Sequence, residues 1–466
     1  MTEKKMEIKS PSKKKMAAYG CGQISDQGAY QAFTLLVFTF YFTIVEINVL
    51  YIAIGFIIWS IWNSLNDPIL GYFSDRTHTK WGRRRPYIMV ALIPLGVIMI
   101  LLFTPPLVIG IKDEIANFIY FIIIIIIFEL FYTMFSLNLT SLFPEVFITE
   151  EERTAANNIR QGLLIIGLLF AFVLPGLIIP DYTKSEYLPQ YFLFGIIIGI
   201  IIIIGGIIVL RLGPKEKAEF RDEYKNAPGL KDSIKLCVKS KSFMWYIPAE
   251  IANWFVYGML AVIVILYAKF VLGIQDTLIQ ALLLGIAFLS SVIFITLLWK
   301  PVVRRIGPRK SWLLSMSIWI ITLIPLLFIQ DPISGMIVFF LVGIGLAGSL
   351  YIIDLIISDI VDEDELNTGV RREAAYYGVN AFFLRLSTVF VFIAIGLVFT
   401  TTGWGEYTPN PGTDVILGLR ILMAVFPSIA LLIAILVIYK YPLDGERLRK
   451  VKEDLQKLHE EKKSKI

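Results

Sequence analysis

Cysteine and histidine are nearly absent: Cys21, Cys237, His78 and His459 are all that the 466 residues hold. One cysteine lies in an apolar stretch and the other in a central polar one, which argues against a disulfide framework. Neither histidine falls in an apolar run, so imidazole catalysis within a membrane is excluded. The chain lacks HExxH, a Walker A glycine loop and CxxC, and with them the usual zinc protease, nucleotide-driven pump and thiol redox readings. Charge is scarce as well. Only 17% of residues are Asp, Glu, Lys or Arg, against about 25% in a soluble domain.

What fills the chain instead is apolar residues, 56% of the total. They come in blocks such as 118–128 (FIYFIIIIIIF) and 194–210. Runs of about 20 apolar residues match the hydrocarbon thickness of a bilayer, whereas barrel strands alternate and are about half that length. The expected fold is therefore an all-α membrane protein. Six lysines precede the first apolar run. That run is too long for a signal-peptide core and has no small-residue cleavage site, so it reads as a retained first helix.

Apolar runs set against polar breaks predict twelve transmembrane helices, near 19–45, 49–74, 87–105, 115–143, 155–179, 190–211, 243–271, 276–299, 311–330, 334–360, 373–401 and 415–440. Lys and Arg crowd the N-terminus, the even-numbered connections (Arg76 to Arg85, Lys215 to Lys241, Lys300 to Lys310) and the tail from Arg447 to Lys465. The odd connections hold only Lys112, Lys184 and the borderline Lys269. The positive-inside rule then places both termini in the cytoplasm of a multi-pass protein of the cell membrane, as an even number of spans requires. It also accounts for the net charge of +5 without a nucleic-acid partner.

The polar break at 212–242 divides the spans six and six, giving an N-terminal bundle (1–211), a central cytoplasmic loop (212–242), a C-terminal bundle (243–440) and a tail (441–466). Within the loop, Ile234 and Val238 recur among lysines in Lys231–Phe243, which fits either a short helix on the inner leaflet or a solvated linker. Val451, Leu455 and Leu458 among the tail charges predict a frayed helix. The halves echo each other. Span two runs into Asp75-Arg76 and Arg83–Arg85, and span eight into Lys300, Arg304-Arg305 and Arg309-Lys310. Span four ends in Glu150–Glu152 and Arg160, span ten in Asp362–Glu365 and Arg371-Arg372. An internal repeat of this kind builds alternating access around a site near mid-membrane.

Two stretches carry a family likeness. Asn66-Asp67-Pro68 through Gly71-Tyr72-Phe73-Ser74-Asp75-Arg76, continuing to Trp81-Gly82-Arg83-Arg84-Arg85-Pro86, and Thr368-Gly369-Val370-Arg371-Arg372-Glu373-Ala374-Ala375-Tyr376-Tyr377-Gly378 resemble the glycoside–pentoside–hexuronide:cation symporters, the melibiose permease-like branch of the major facilitator superfamily. The pattern is also similar to that of the sodium–lysophospholipid symporters. The resemblance runs from about Tyr19 to Leu443 and implies twelve helices in two pseudo-symmetric six-helix bundles, with solute movement coupled to Na⁺, Li⁺ or H⁺. It implies a cation site on Asn63, Asn66 and Asp67 of helix two and Thr133 of helix four. The family's second carboxylate on helix two is Asn63 here, a change that makes protons more plausible than in the family at large. The sugar-binding carboxylates fall on Gln27 and Ser136, the helix-five arginine on Arg160 and the helix-eleven lysine on Arg385. Losing both sugar carboxylates points away from a galactoside.

The residues themselves support a similar picture. A charge at bilayer depth costs at least about 2.5–3.5 kcal/mol on insertion scales, so it faces a cavity or a partner. Asn63, Asn66 and Asp67 sit at i, i+3 and i+4 and so share a helical face; the role of Asp67 is a coupling carboxylate or, as the plainer alternative, half of a structural salt bridge. Arg385 could pair with Asp67, with Asp26 or with solute. Asp26, beside Gln27, lines a cavity or packs. Glu129 and Glu250 lie inside spans with no assigned role. Tyr377, Tyr30, Tyr257 and Trp254 could stack on a sugar ring or sit at the interface. Asp75, Arg76 and Arg84 suggest a charged latch between bundles, made in one access state and broken in the other; ordinary positive-inside bias is the alternative.

These readings converge on a monomeric symporter, not an enzyme, with no cofactor and with Na⁺ or H⁺ as the coupling ion. Its solute is expected to be a small molecule such as a sugar or glycoside. The rivals are a symporter of lysolipid or other amphipaths and, in another class, a membrane sensor or scaffold that transports nothing.

Overall fold

A computed structural model describes residues 11–77, 79–147, 149–216, 235–369 and 372–464. Among the described residues there is no β-strand, only an isolated bridge between Thr79 and Gly82. The first half comprises α1 (Lys13–Thr43), α2 (Val49–Arg76), α3 (Arg85–Leu101), α4 (Glu114–Val146), α5 (Glu150–Ile178) and α6 (Leu188–Leu212). The second comprises α7 (Lys241–Phe270), α8 (Thr277–Ile306), α9 (Pro308–Leu327), α10 (Pro332–Thr368), α11 (Glu373–Thr401) and α12 (Thr413–Tyr439), and α13 (Gly445–Ser464) follows. Each of the first twelve falls on one of the predicted apolar runs.

Polar side chains at the breaks start the helices. Asn48 accepts the Leu50 N–H at 3.0 Å, Asp113 that of Ala116 at 2.7 Å and Asp276 that of Ile279 at 3.1 Å. Thr149 and Glu152 form a reciprocal capping box at the head of α5, an arrangement whose loss costs about 1 kcal/mol. Among the described residues ten helices are long and apolar enough to cross a bilayer, and α3 is a shorter apolar one. The remaining helix, α1, is diluted by Gln23, Ser25, Asp26, Gln27 and Gln31, most of them buried. Its polarity belongs to the interior. Outward-facing residues such as Ile93, Leu177, Leu297 and Leu436 are each more than 60% exposed, a surface that only lipid covers without penalty.

Within the first half α1 packs on α5 and α6, α3 on α4 and α6, and α2 on α4; in the second, α10 packs on α8 and α9, and α12 on α7 and α9. Backbones come very close where glycines allow it: a Cβ on Gly199 of α6 would lie 2.5 Å from the Gly96 carbonyl of α3. The halves meet along α2–α11, α5–α8 and α1–α7.

An even number of crossings puts both chain ends on one face, called here the terminal face. There α13 docks on the end of α10 through Asp359–Lys452 (2.9 Å), Glu363–Arg447 (2.7 Å) and Glu365–His459 (3.0 Å), with Val451 and Leu455 buried. The frayed tail helix expected from sequence is thus corrected: acidic partners on α10, with two spans intervening, hold it. Of the segment 231–243, residues 231–234 lie outside the described ones, and only 235–237 form a helical turn before α7.

Candidate solute and cation site between the halves

Nine helices (α1, α2, α4, α5, α7, α8, α9, α10 and α11) contribute to a cavity of about 1090 Å³. It reaches the terminal face past Thr140 of α4, Asn157 and Gln161 of α5, and Lys300 of α8. Toward the far face it narrows at Tyr30, Trp254, Tyr257 and Arg385, which also border a smaller void of about 180 Å³ lined by Phe33, Phe56 and Phe392. Beyond that the halves are shut. Phe56 stacks on Phe392 at 3.9 Å, the Val49 N–H donates to the Gly405 carbonyl at 2.8 Å, and Lys269 pairs with Asp181 at 2.5 Å. Thr277 of α8 donates to the Gly176 and Ile179 carbonyls. Gly176 lies so near α8 that a Cβ there would sit 2.6 Å from the Leu278 Cα. The molecule is open to the terminal face and closed at the other.

Asp67 stands on the cavity wall and is shared by three helices. Its Oδ2 accepts from Arg385 Nη2 of α11 at 2.8 Å, and its Oδ1 accepts from the Thr133 hydroxyl of α4 at 3.1 Å. The two charged side chains are 23% and 27% exposed, so the pair is reachable from the cavity. Pro68, the next residue, removes a helical donor from the Ser64 carbonyl and loosens α2 beside the carboxylate. Thr133 Oγ1 also lies 3.1 Å from Glu129 Oε1. One hydroxyl proton cannot serve both carboxylates at once, so the arrangement has room for one more positive charge.

Glu129 is fully buried, and its second oxygen has no hydrogen-bond partner. Asn66 turns its amide nitrogen to the Glu129 carbonyl at 3.1 Å, leaving its Oδ1 buried and unpartnered, as is Oδ1 of Asn63. The unpartnered oxygens of Asn63, Asn66 and Glu129 are of the hard type that could serve a monovalent cation. Glu129 is the member that sequence reasoning left without a role. Its signal was present: a lone acid in an apolar run, four residues before Thr133 and hence on the same face.

On the solute side, Gln27, Tyr30, Gln31, Tyr132 and Ser136 line the cavity. Tyr257 Oη donates to Gln31 Oε1 at 2.9 Å, and Tyr30 stacks on Tyr132 at 5.1 Å, so these aromatics belong to the cavity and not to the membrane interface. Other expected solute contacts sit elsewhere. Asp26 is buried, accepts from the Gln27 side-chain amide at 3.0 Å and is not among the residues lining the cavity. Arg160 packs its guanidinium over Phe143 at 4.9 Å and is not among the residues lining the cavity. Tyr377 is also outside the lining; it neighbours Asp354 and Ser358 of α10. The opposite wall of the cavity, between α5 and α8, is apolar: Leu168, Leu169, Phe172, Phe288, Leu289 and Val292.

The latch residues lie at the terminal face. Arg84 donates to Ser74 (2.7 Å) and Glu145 (3.3 Å), and Glu216 accepts the backbone N–H groups of Arg83, Arg84 and Arg85. Ser74 and Glu145 belong to the first half and Glu216 to the start of the central loop, so the bonds described for Arg84 include none to the second bundle. Arg76 lies over the Tyr72 ring at 3.5 Å. The Asp75 side chain is outside the described set.

The sequence pattern of one family, described as MFS/sugar transport protein, matches residues 18–445. The isoprimeverose transporter of Lactiplantibacillus pentosus is 24% identical over 80% of this chain and 76% of its own. The sodium-dependent lysophosphatidylcholine symporter 1 of Gallus gallus is 22% identical over 90% and 85%. Among solved structures, the nucleoside transporter NupG superposes with a TM-score of 0.66 at 18% identity, covering 92% of this chain and 99% of that one, a likeness of fold alone.

Proposed function

The chain belongs to the MFS/sugar transport protein family, and from that premise we propose that it is a cation-coupled symporter whose solute is a sugar or glycoside. The observation that carries this is Asp67, held between Thr133 of α4 and Arg385 of α11 on the wall of a cavity open to one face. In this state Arg385 stands where a coupling cation would. Arrival of Na⁺ or H⁺ at Asp67, with oxygens of Asn63, Asn66, Thr133 and Glu129 around it, neutralises the carboxylate and frees the guanidinium. Arg385 then turns to solute hydroxyls beside Gln27, Tyr30, Gln31 and Ser136. Only joint occupancy satisfies both charges, which is the condition for the halves to rock. The crowding of Lys and Arg at the terminal face supports placing it in the cytoplasm, so the cavity faces inward.

A second reading has a specific observation behind it. The apolar α5–α8 wall would suit an acyl chain, with the polar end of a lysolipid at Gln27 and Arg385. Counterflow in proteoliposomes decides the matter, run with isoprimeverose, lactose and lysophosphatidylcholine, with and without Na⁺ and a pH gradient. Saccharide exchange stimulated by a cation gradient is expected. Exchange of lysophosphatidylcholine alone would select the second reading, and flux of none of them would favour a sensor or scaffold.

A further inference from the structure

The second half contains a buried carboxylate that the Asp67 site does not use. Glu250 of α7 is 2% exposed. Its Oε1 accepts from Asn380 Nδ2 of α11 at 3.0 Å, and its Oε2 has no hydrogen-bond partner. Among the described residues it forms no ion pair. The titratable groups that face it are themselves acids: Tyr246 on its own helix, Asp354 on α10 and Tyr377 on α11. A bare carboxylate so placed would carry an uncompensated charge at a cost of several kcal/mol. A neutral acid would not.

The surroundings also contain the means of reversing that state. Tyr246, Glu250 and Trp254 follow one another at intervals of four residues and so share a face of α7. Tyr246 Oη and Trp254 Nε1 are buried beside the carboxylate, and neither closes a hydrogen bond. Small side-chain rotations would bring both donors onto Oε2, and with Asn380 they would make three hydrogen bonds to the anion. Trp254 borders both the large cavity and the smaller void, so whatever fills the cavity moves one of those donors.

We propose that Glu250 is a proton-binding site of the second half, loaded in the state seen here and emptied when Tyr246 and Trp254 close on it, with Trp254 reporting cavity occupancy to it. The ligand is a proton, which leaves to water as the O–H bond of the acid breaks and the carboxylate accepts the donors. This site is separate from Asp67 and requires no knowledge of the solute.

Infrared spectroscopy of the full-length purified protein tests it through the C=O stretch of a protonated carboxylic acid. The wild type should show a deuterium-sensitive band at neutral pH. Glu250→Gln should lose it, while Asp67→Asn should keep it. Asn380→Leu, which leaves the acid in place, should shift its frequency. Trp254→Phe and Tyr246→Phe each remove a donor to the anion, so the midpoint of the band's titration should rise by about one pH unit, tenfold in proton affinity. A band that persists in Glu250→Gln, or that disappears in Asp67→Asn instead, would overturn the assignment while leaving the Asp67 reading standing. If Glu250→Gln does not fold, an unmoved band in Asn380→Leu overturns it equally. A midpoint unmoved in Trp254→Phe defeats the link to the cavity.

Discussion

Neutralising both partners of the Asp67–Arg385 pair should cost less than the sum of neutralising each alone. The guanidinium and carboxylate meet at 2.8 Å with about a quarter of each side chain exposed to the cavity. Charge centres roughly 4 Å apart attract by about 4 kcal/mol at an effective dielectric of about 20. Desolvation takes back part of this, and access to water screens it further. A coupling of about 2 kcal/mol is the expected remainder. Asp67→Asn leaves a buried guanidinium without its acceptor, Arg385→Gln leaves Asp67 beside Glu129, and each should lose about 3 kcal/mol. The double mutant should recover about 2 kcal/mol of their sum. Thermal unfolding of the four proteins in detergent, ranked at one pH and salt, measures the cycle. The same proteins separate the functional roles: Asp67→Asn should abolish gradient-driven accumulation in proteoliposomes yet retain exchange, whereas Arg385→Gln should lose both. Additive destabilisation, or accumulation at wild-type level in Asp67→Asn, would refute the idea that this pair is the coupling element.

Three further outcomes follow from the geometry. Gly176→Leu cannot be accommodated beside Leu278 and should open the far face, raising alkylation of a cysteine placed at Thr183 severalfold; Gly162→Leu, with nothing within 4 Å of its Cβ, is the control that should not. Burial pushes the Asp181 carboxyl up, but hydrogen bonds from Lys269 and Thr183 outweigh that and hold it below the ordinary carboxylate value. The far-face closure it makes is therefore complete at neutral pH and lost only as pH falls through that lowered value; the same alkylation assay should stay flat from pH 8 to about 5 and rise in Lys269→Ala at every pH. Glu129→Gln removes a carboxylate from the cation site and should weaken cation stimulation of exchange by about tenfold, a loss of about 1.4 kcal/mol, without changing exchange in the absence of a gradient.

The fold was largely legible because lipid imposes a one-dimensional constraint: each crossing needs its own apolar run, and polar caps such as Asn48 and Asp113 mark the breaks. Partners distant in sequence were not legible. Arg420, at the start of α12, is buried and donates to the Leu327 and Ile329 carbonyls at the end of α9. The docking of α13 likewise depends on acids at the end of α10. Periodicity assigns a residue to a face of its own helix but says nothing of what that face meets. That is why Asp67 and Asn63 could be grouped from spacing, while Arg160 and Tyr377 were expected in a cavity that neither lines.

The relocation of charge around Asp67 shows how far the geometry carries beyond the motif. Read along helix two alone, Asn63 is a missing carboxylate, and the site looks short of one negative charge. Across the helix interface, Glu129 supplies that charge from α4, joined to Asp67 through the hydroxyl of Thr133. A cation site is defined by the oxygens that converge on a volume and by their total charge, not by which helix donates them. With both acids ionised, the proposed site of two carboxylates, two amide oxygens and one guanidinium would carry a net charge of minus one. Binding one monovalent cation brings the set to neutrality, and a second would overshoot it. On that count the coupling stoichiometry at this site should be one cation per cycle, and a measured ratio of two would require another acid.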